Sequence, residues 1–335
     1  MAVGIQAAAA ADGALAIRAP RSRLSALLVL ALLLATLLAG GCATQAPALL
    51  AQPPAGLPAR VELADTPFFP DDSHFCGPAA LATTLSAAGL PTRPEDLVGR
   101  VFLPGREGSL QIEMLAGARR SGAVATLIPG TLEALFRELA AGHPVVVLQN
   151  LGLSWAPSWH YAVAVGYDLE GGEILLRSGP MKRQALALRT FEHTWKRGGH
   201  WAFVALPPGK LAATATEAAG TEALVAFERT APPRAAATAY RAGLQRWPDS
   251  YTLLMGLGNV LYQSGDLAGA EASFGRAADT RDQAAAHNNR ARVLLELGRP
   301  AAARQAAERG LAVAGPLRDT LLGTLRAIDA AAAAR

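Results

Sequence analysis

The sequence predicts an α+β domain followed by an all-α domain, and three observations carry that prediction. From residue 67 to about 208 the helix-type patterns come first and the strand-type runs come after, which is the order of an α+β fold. Residues 209–216 then read as a linker, and from 217 the pattern changes to small and apolar residues recurring at a period of 33 or 34. A chain of 335 residues suits two domains, and with 51% hydrophobic and 17% charged residues it can bury sizeable cores.

In chain order, residues 1–41 read as an export signal. Arg18, Arg21 and Arg23 precede a 15-residue apolar run, residues 24–38, which is short for a membrane span. The run ends in Leu38-Ala39-Gly40-Gly41-Cys42, which resembles a bacterial lipobox with Cys42 as the lipidated residue. That resemblance implies membrane attachment through an N-terminal lipid and, in a Gram-negative source, an outer-membrane location facing the periplasm. Residues 42–66 are rich in Ala and Pro and are expected to form a flexible tether.

Within 67–208, a helix is expected to begin at or just after Cys76, with Pro78 in its first turn and Leu81 and Leu85 one turn apart. Arg93–Val98 reads as a short helix start, Ser109–Arg120 as a helix and Ala123–Ile128 as a strand. Thr131–Ala141 is an amphipathic helix capped by Thr131, with Leu132, Leu135, Phe136 and Leu139 on one stripe. Pro144–Gln149 is a buried strand. His160–Tyr167 and Glu173–Arg177 form a hairpin around the turn 168–172, and Lys182–Leu188, a helix at Phe191–Lys196 and a strand at His200–Leu206 complete the domain.

In the second domain, Gly265, Ala270, Phe274 and Ala277 recur 33 residues later as Gly298, Ala303, Ala307 and Gly310. Ala236, Tyr240 and Gly243 precede Ala270, Phe274 and Ala277 by 34. The units are 217–250, 251–283 and 284–317, each two helices around a turn, with a closing helix from Leu317 to Ala330. They resemble tetratricopeptide repeats, which implies a surface that recruits a protein partner.

Charge excludes some functions. The formal charge is +4, and removing Arg18, Arg21, Arg23 and Asp12 leaves 28 basic and 26 acidic residues, or +2. No basic stripe with interleaved aromatics points to nucleic acid. Two cysteines and six histidines show no metal-ligand spacing, and no cofactor is expected.

Cys76 is therefore the candidate nucleophile. At a helix N-terminus its thiolate is expected to be stabilised and its pKa lowered; the plain alternative is a small buried hydrophobe. His160, 84 residues later, opens a strand after a loop bearing Trp155 and Trp159, where a side chain is exposed yet fixed. Those tryptophans either wall a substrate cleft or cover the core.

Phe68-Phe69-Pro70 with Cys76-Gly-Pro-Ala-Ala-Leu81, followed by His160-Tyr-Ala-Val-Ala-Val-Gly-Tyr167, resembles the papain-fold cysteine peptidases of the bacteriocin-processing, double-glycine type. More closely, the layout resembles bacterial lipoproteins that join such a domain to tetratricopeptide repeats. The resemblance implies a peptide or protein substrate, Cys76 as nucleophile and His160 as general base and acid. Two positions depart from the family. Asp71 stands where a glutamine usually helps hold the oxyanion, and a carboxylate has no proton to donate there; Ser73 and His74 are the nearest stand-ins. The acid that orients the histidine is expected 16–18 residues after it, and Ser178 is the nearest side chain to that position. Asp168 lies eight residues along the same strand, roughly 26 Å away at ~3.3 Å per residue, and reads as a turn residue. These departures support the alternative of a peptide-binding module that does not cut.

Overall fold

The computed structural model describes residues 45–71 and 74–333, and its first element lies inside the expected tether. Helix α1 (Gln45–Ala51) buries Ala46 and Leu49 against the sheet-bearing domain. Its first two backbone N–H groups, which an α-helix leaves without internal partners, donate to the buried carboxylate of Glu192 at 2.5 and 2.8 Å. The Gln45 side chain accepts from Leu132 N at 2.8 Å and donates to Gly130 O at 3.2 Å. Farther on, β1 (Arg60–Glu62) pairs with the strand at Gly166–Asp168. The tether expectation is thus corrected from residue 45 onward. Composition suggested freedom, but the partners that remove it lie more than 80 residues away in sequence.

Helix α2 (Cys76–Ala87) is followed by α3 (Pro94–Val101), the short pair β2 (Phe102–Leu103) and β3 (Gly108–Ser109), and α4 (Gln111–Arg120). Then come β4 (Val124–Leu127), α5 (Leu132–Ala140), β5 (Val145–Asn150), β6 (Trp159–Asp168), β7 (Glu173–Ser178), β8 (Met181–Ala187), α6 (Leu188–Arg197) and β9 (Ala202–Leu206). Thr131 caps α5 by accepting from Ala134 N at 3.1 Å. The sheet runs β4-β9-β5-β6-β7-β8 through antiparallel pairs, with β1 also on β6.

Alternation along the strands divides the core in two. Tyr161, Val163 and Val165 join Leu81, Leu85 and Leu97 on the side of α2 and α3. Ala162, Ala164 and Tyr167 join Leu135, Phe136 and Trp195 on the side of α5 and α6. The β6–β7 register shifts by one between Ala164 and Gly166, so Asp168 faces Glu173 while Val163 faces Arg177.

The expected linker is also held. Ala212 and Ala215 are buried, and the fully buried carboxylate of Glu138 accepts from Ala213 N (3.0 Å), Thr214 N (2.7 Å) and Thr214 Oγ1 (2.6 Å). His143 Nδ1 lies 2.8 Å from the same carboxylate.

Beyond it stand the helices α7 (Glu217–Glu228), α8 (Pro233–Arg246), α9 (Tyr251–Gln263), α10 (Leu267–Thr280), α11 (Ala284–Glu296), α12 (Pro300–Ala312) and α13 (Arg318–Ala333). Pro233 does not disturb α8, because it occupies the first helical turn. Small residues sit where helices approach: a Cβ on Gly258 would lie 2.5 Å from the Phe274 ring, and one on Gly256 2.4 Å from Tyr240. The two halves share packing, since Val124 of β4 belongs to the core that holds Leu224 and Phe227 of α7. Arg246 adds bonds to Ala212 O and Ala213 O at 2.8 and 3.0 Å. Among the described residues no helix is long and apolar enough to cross a membrane.

Candidate active site

Cys76 is the first residue of α2 and carries a free thiol. The next position has room only for glycine. A Cβ on Gly77 would meet Ser109 Oγ at 2.3 Å and Ser109 Cβ at 2.7 Å, so the α2 N-terminus rests directly on β3. His160 is the second residue of β6, facing Gln149 of β5. Its Nε2 lies 2.9 Å from Ser178 Oγ. Ser178 is nearly buried, at the end of β7 where the pairing with β8 shifts register. The turn beyond it is tied back by Asp71 N–H donating to Gly179 O at 3.1 Å.

Cys76 and His160 line one cleft of about 700 Å³, together with Ser109, Leu110, Trp159 and Tyr161. The backbone of Tyr161, one residue past His160, reaches the Cys76 thiol closely enough to lower its pKa. Tyr161 OH donates to Ser109 O at 3.2 Å, joining β6 to β3 at the cleft floor.

The electrostatics differ from those a helix N-terminus alone implies. Burial pushes the Cys76 thiol above its ordinary pKa, and the Asp71 carboxylate adds to that; hydrogen bonds from the backbone of Tyr161, Gly77 and Cys76 pull the other way without winning. The expected lowering is corrected accordingly, because desolvation of a thiolate outweighs a helix dipole here. Burial holds the His160 imidazole below its ordinary pKa, opposed by Asp71. Near neutral pH the resting pair is a thiol and a neutral imidazole. Tyr161 is pushed up by burial and then by Cys76.

Asp71 lies in a small recess on the other side of Cys76, with Phe68, Phe69 and Ser178. Its charge acts on both Cys76 and His160, so it does not sit apart from the pair. His74 lines the cleft, whereas Ser73 and Cys42 lie outside the described residues. Asp168 is at the far end of β6, where Oδ1 accepts from Gly171 N at 2.8 Å within the turn. Neither tryptophan covers the core: Trp159 lines the cleft, and Trp155 is 83% exposed away from it.

Sequence reasoning missed Asn150 and Arg177. Asn150 Oδ1 gathers Gly152 N (3.0 Å) and Ser158 N (2.9 Å), shaping the loop that leads to His160. Arg177, nearly buried, donates to Ala64 O at 2.9 Å and Lys182 O at 2.5 Å and so fixes the segment leading to Phe68. An arginine inside an apolar strand run was the available signal. Among the described residues no group of three or more His, Cys, Asp or Glu side chains is placed to hold a metal ion.

Residues 60–203 match the profile of the family described as Peptidase_C39-like. Among solved structures, the chain is similar to a C39-like peptidase from Bacillus anthracis, with 18% identity and a TM-score of 0.39, covering 45% of this chain and 99% of that one. It is also similar to a double glycine motif protease from an AMS/PCAT transporter, solved in complex with the leader peptide, with 17% identity and a TM-score of 0.33, covering 43% of this chain and 93% of that one. No curated protein matches. The family match lies within the sheet-bearing segment, and an all-helical region follows it.

Proposed function

We propose that the C39-like domain is a cysteine peptidase in which Cys76 attacks and His160 moves the proton. The observation that carries this reading is the placement of both side chains in one cleft with His160 Nε2 on Ser178 Oγ. That bond occupies one ring nitrogen and leaves Nδ1 to exchange a proton with the thiol. The neutral imidazole accepts the Cys76 proton as sulfur bonds to the substrate carbonyl carbon. The Cys76 backbone N–H, at the start of α2, is the donor available to the developing oxyanion. The imidazolium then protonates the leaving amine, and water attacks the thioester by the reverse sequence. Ser178 orients the ring as a neutral acceptor, without the charge a carboxylate supplies.

The full reading is an exported lipoprotein attached through Cys42, acting on a peptide or protein of the cell envelope, with the helices from α7 onward serving as tetratricopeptide repeats that recruit a protein partner. Incorporation of a clickable fatty acid, abolished by Cys42→Ser, tests the anchor. A peptidyl acyloxymethyl ketone tests the chemistry. Labelling of Cys76 that slows strongly in His160→Ala supports the pair, and equal labelling of both proteins rules it out. A second reading, a peptide-binding module without turnover, is favoured by two observations: the raised Cys76 thiol and the Asp71 charge beside it. It predicts peptide binding that survives Cys76→Ala and no turnover by the native protein.

A further inference from the structure

The segment 151–158 between β5 and β6 carries Leu151, Leu153 and Trp155, all exposed, and Trp159 follows it. Leu151 and Trp159 line the cleft; Leu153 and Trp155 do not. These two stand on a tight hairpin closed by reciprocal backbone bonds, Leu153 N to Ala156 O at 3.1 Å and Ala156 N to Leu153 O at 3.2 Å. Its base is fastened by Leu151 N to Ser158 O at 2.8 Å and by the two bonds to Asn150 Oδ1. A Cβ on Gly152 would strike Ala156 O at 2.4 Å, so the close approach of the two arms requires glycine. Arg197 donates to Asn150 O from Nε and Nη2, tying the base to the end of α6. The hairpin therefore holds in a defined place the most exposed large apolar side chain among the described residues, Trp155 at 83%.

We infer that the Leu153–Trp155 hairpin is a membrane-contacting tip that seats in the headgroup region of the bilayer. The inference rests on the reading of Cys42 as a lipidated residue. Only Ala43 and Thr44 separate Cys42 from Gln45, so a lipid there would hold the start of α1 within about 10 Å of the bilayer, at ~3.5 Å per residue. The start of α1 is bound to Glu192 and the hairpin base to Arg197. Both are on α6, about 8 Å apart along its axis at 1.5 Å per residue. Lys196, exposed, and Arg197, half-buried, put positive charge on that same turn, which suits anionic headgroups. An indole with an apolar body and an N–H donor belongs at the membrane interface. A second membrane contact beside a lipid raises the effective concentration of the first and makes the attachment firmer.

The test uses the full lipidated chain in vesicles of phosphatidylethanolamine and phosphatidylglycerol, with phospholipids brominated on their acyl chains as quenchers. The native protein should be quenched, and Trp155→Phe should lose the larger part of that quenching while Trp159, Trp195, Trp201 and Trp247 remain. A protein that stays on the vesicles unquenched, or a Trp155→Phe protein quenched to the native extent, overturns the tip and leaves the anchor standing. Failure to stay on the vesicles overturns anchor and tip together. If Trp155→Phe instead slows cleavage of a soluble peptide in detergent micelles, the hairpin reads substrate and the membrane assignment is overturned.

Discussion

Glu138 is buried and His160 half-buried in the same domain, and each is hydrogen-bonded through its titratable group to another element. Their surroundings differ in kind. Burial pushes the Glu138 carboxyl up, yet His143, Thr214 and the N–H groups of Ala213 and Thr214 outweigh it and hold the pKa below the ordinary carboxylate value. His160 has only a serine hydroxyl on Nε2, burial prevails, and its imidazole stays neutral. The domain places a fully satisfied carboxylate where backbone must be fastened and an incompletely compensated histidine in the cleft that also holds Cys76. Glu192 repeats the first arrangement at α1. A buried charge with several donors is a structural fastening, whereas a buried base with one weak partner stays available for chemistry.

The comparison breaks first at His160. His160→Ala should lower kcat/KM on a cleaved peptide by about 10³-fold with little change in the thermal midpoint, since general-base groups contribute about 10²–10⁴-fold. An unchanged kcat/KM would remove His160 from the chemistry. Glu138→Ala should do the reverse. It leaves two part-buried backbone N–H groups and the Thr214 hydroxyl without their acceptor and should cost about 3 kcal/mol of stability, while Cys76 labelling at low temperature stays native. Calorimetry showing no loss would mean that residues 209–216 are held by packing alone. The Glu138 contribution also has a pH signature. A carboxyl whose folded pKa is depressed contributes stability above its unfolded pKa and loses it as pH falls through the folded value. The native protein should therefore shed this stability below about pH 4.5, and Glu138→Ala should shed less.

Ser178→Ala sharpens the comparison at smaller amplitude. Losing one neutral hydrogen bond on the imidazole should lower kcat about fivefold, in line with ~1 kcal/mol for such a bond. The acid limb of kcat/KM should stay below pH 6.5, where burial places the His160 titration. An acid limb above that value would show the ring held as imidazolium by a nearby charge. The smallest effect is expected from Asp71→Asn. Removing the charge that raises Cys76 should move the alkylation profile of the thiol to lower pH and leave its plateau unchanged. A profile that stays in place would put the Asp71 charge out of reach of the sulfur.

The candidate site was partly legible in sequence because its pieces are local. Cys-Gly-Pro before an Ala/Leu run marks a helix N-terminus, and His160 opens a run with strand chemistry. Counting across the turn 168–172 places Ser178 near the histidine, and the structure puts the two atoms 2.9 Å apart. The one-residue register shift in β6 lies between the turn and His160. It happens to offset a count that assumed 167 opposite 173, where Tyr167 faces Ile174. The sign of the Cys76 shift was not legible, because a helix start is visible in the sequence and the depth of burial is not.

By itself the sequence determined the elements and their order: helices before strands, then helical pairs at a period of 33 or 34, with Cys76 at the start of α2. These follow from short-range rules, in which proline and glycine mark turns and apolar spacing marks faces. Only the tertiary structure decided that residues 45–66 and 209–216 are held to the domain, that Asp71 faces the Cys–His pair, and that Trp155 stands clear of the cleft. Each of these is settled by a partner supplied from elsewhere in the chain, Glu192, Glu138, Gly179 and Asn150 respectively. Composition measures what a segment can bury on its own. Whether it is held depends on a donor or acceptor that only folding brings within 3 Å.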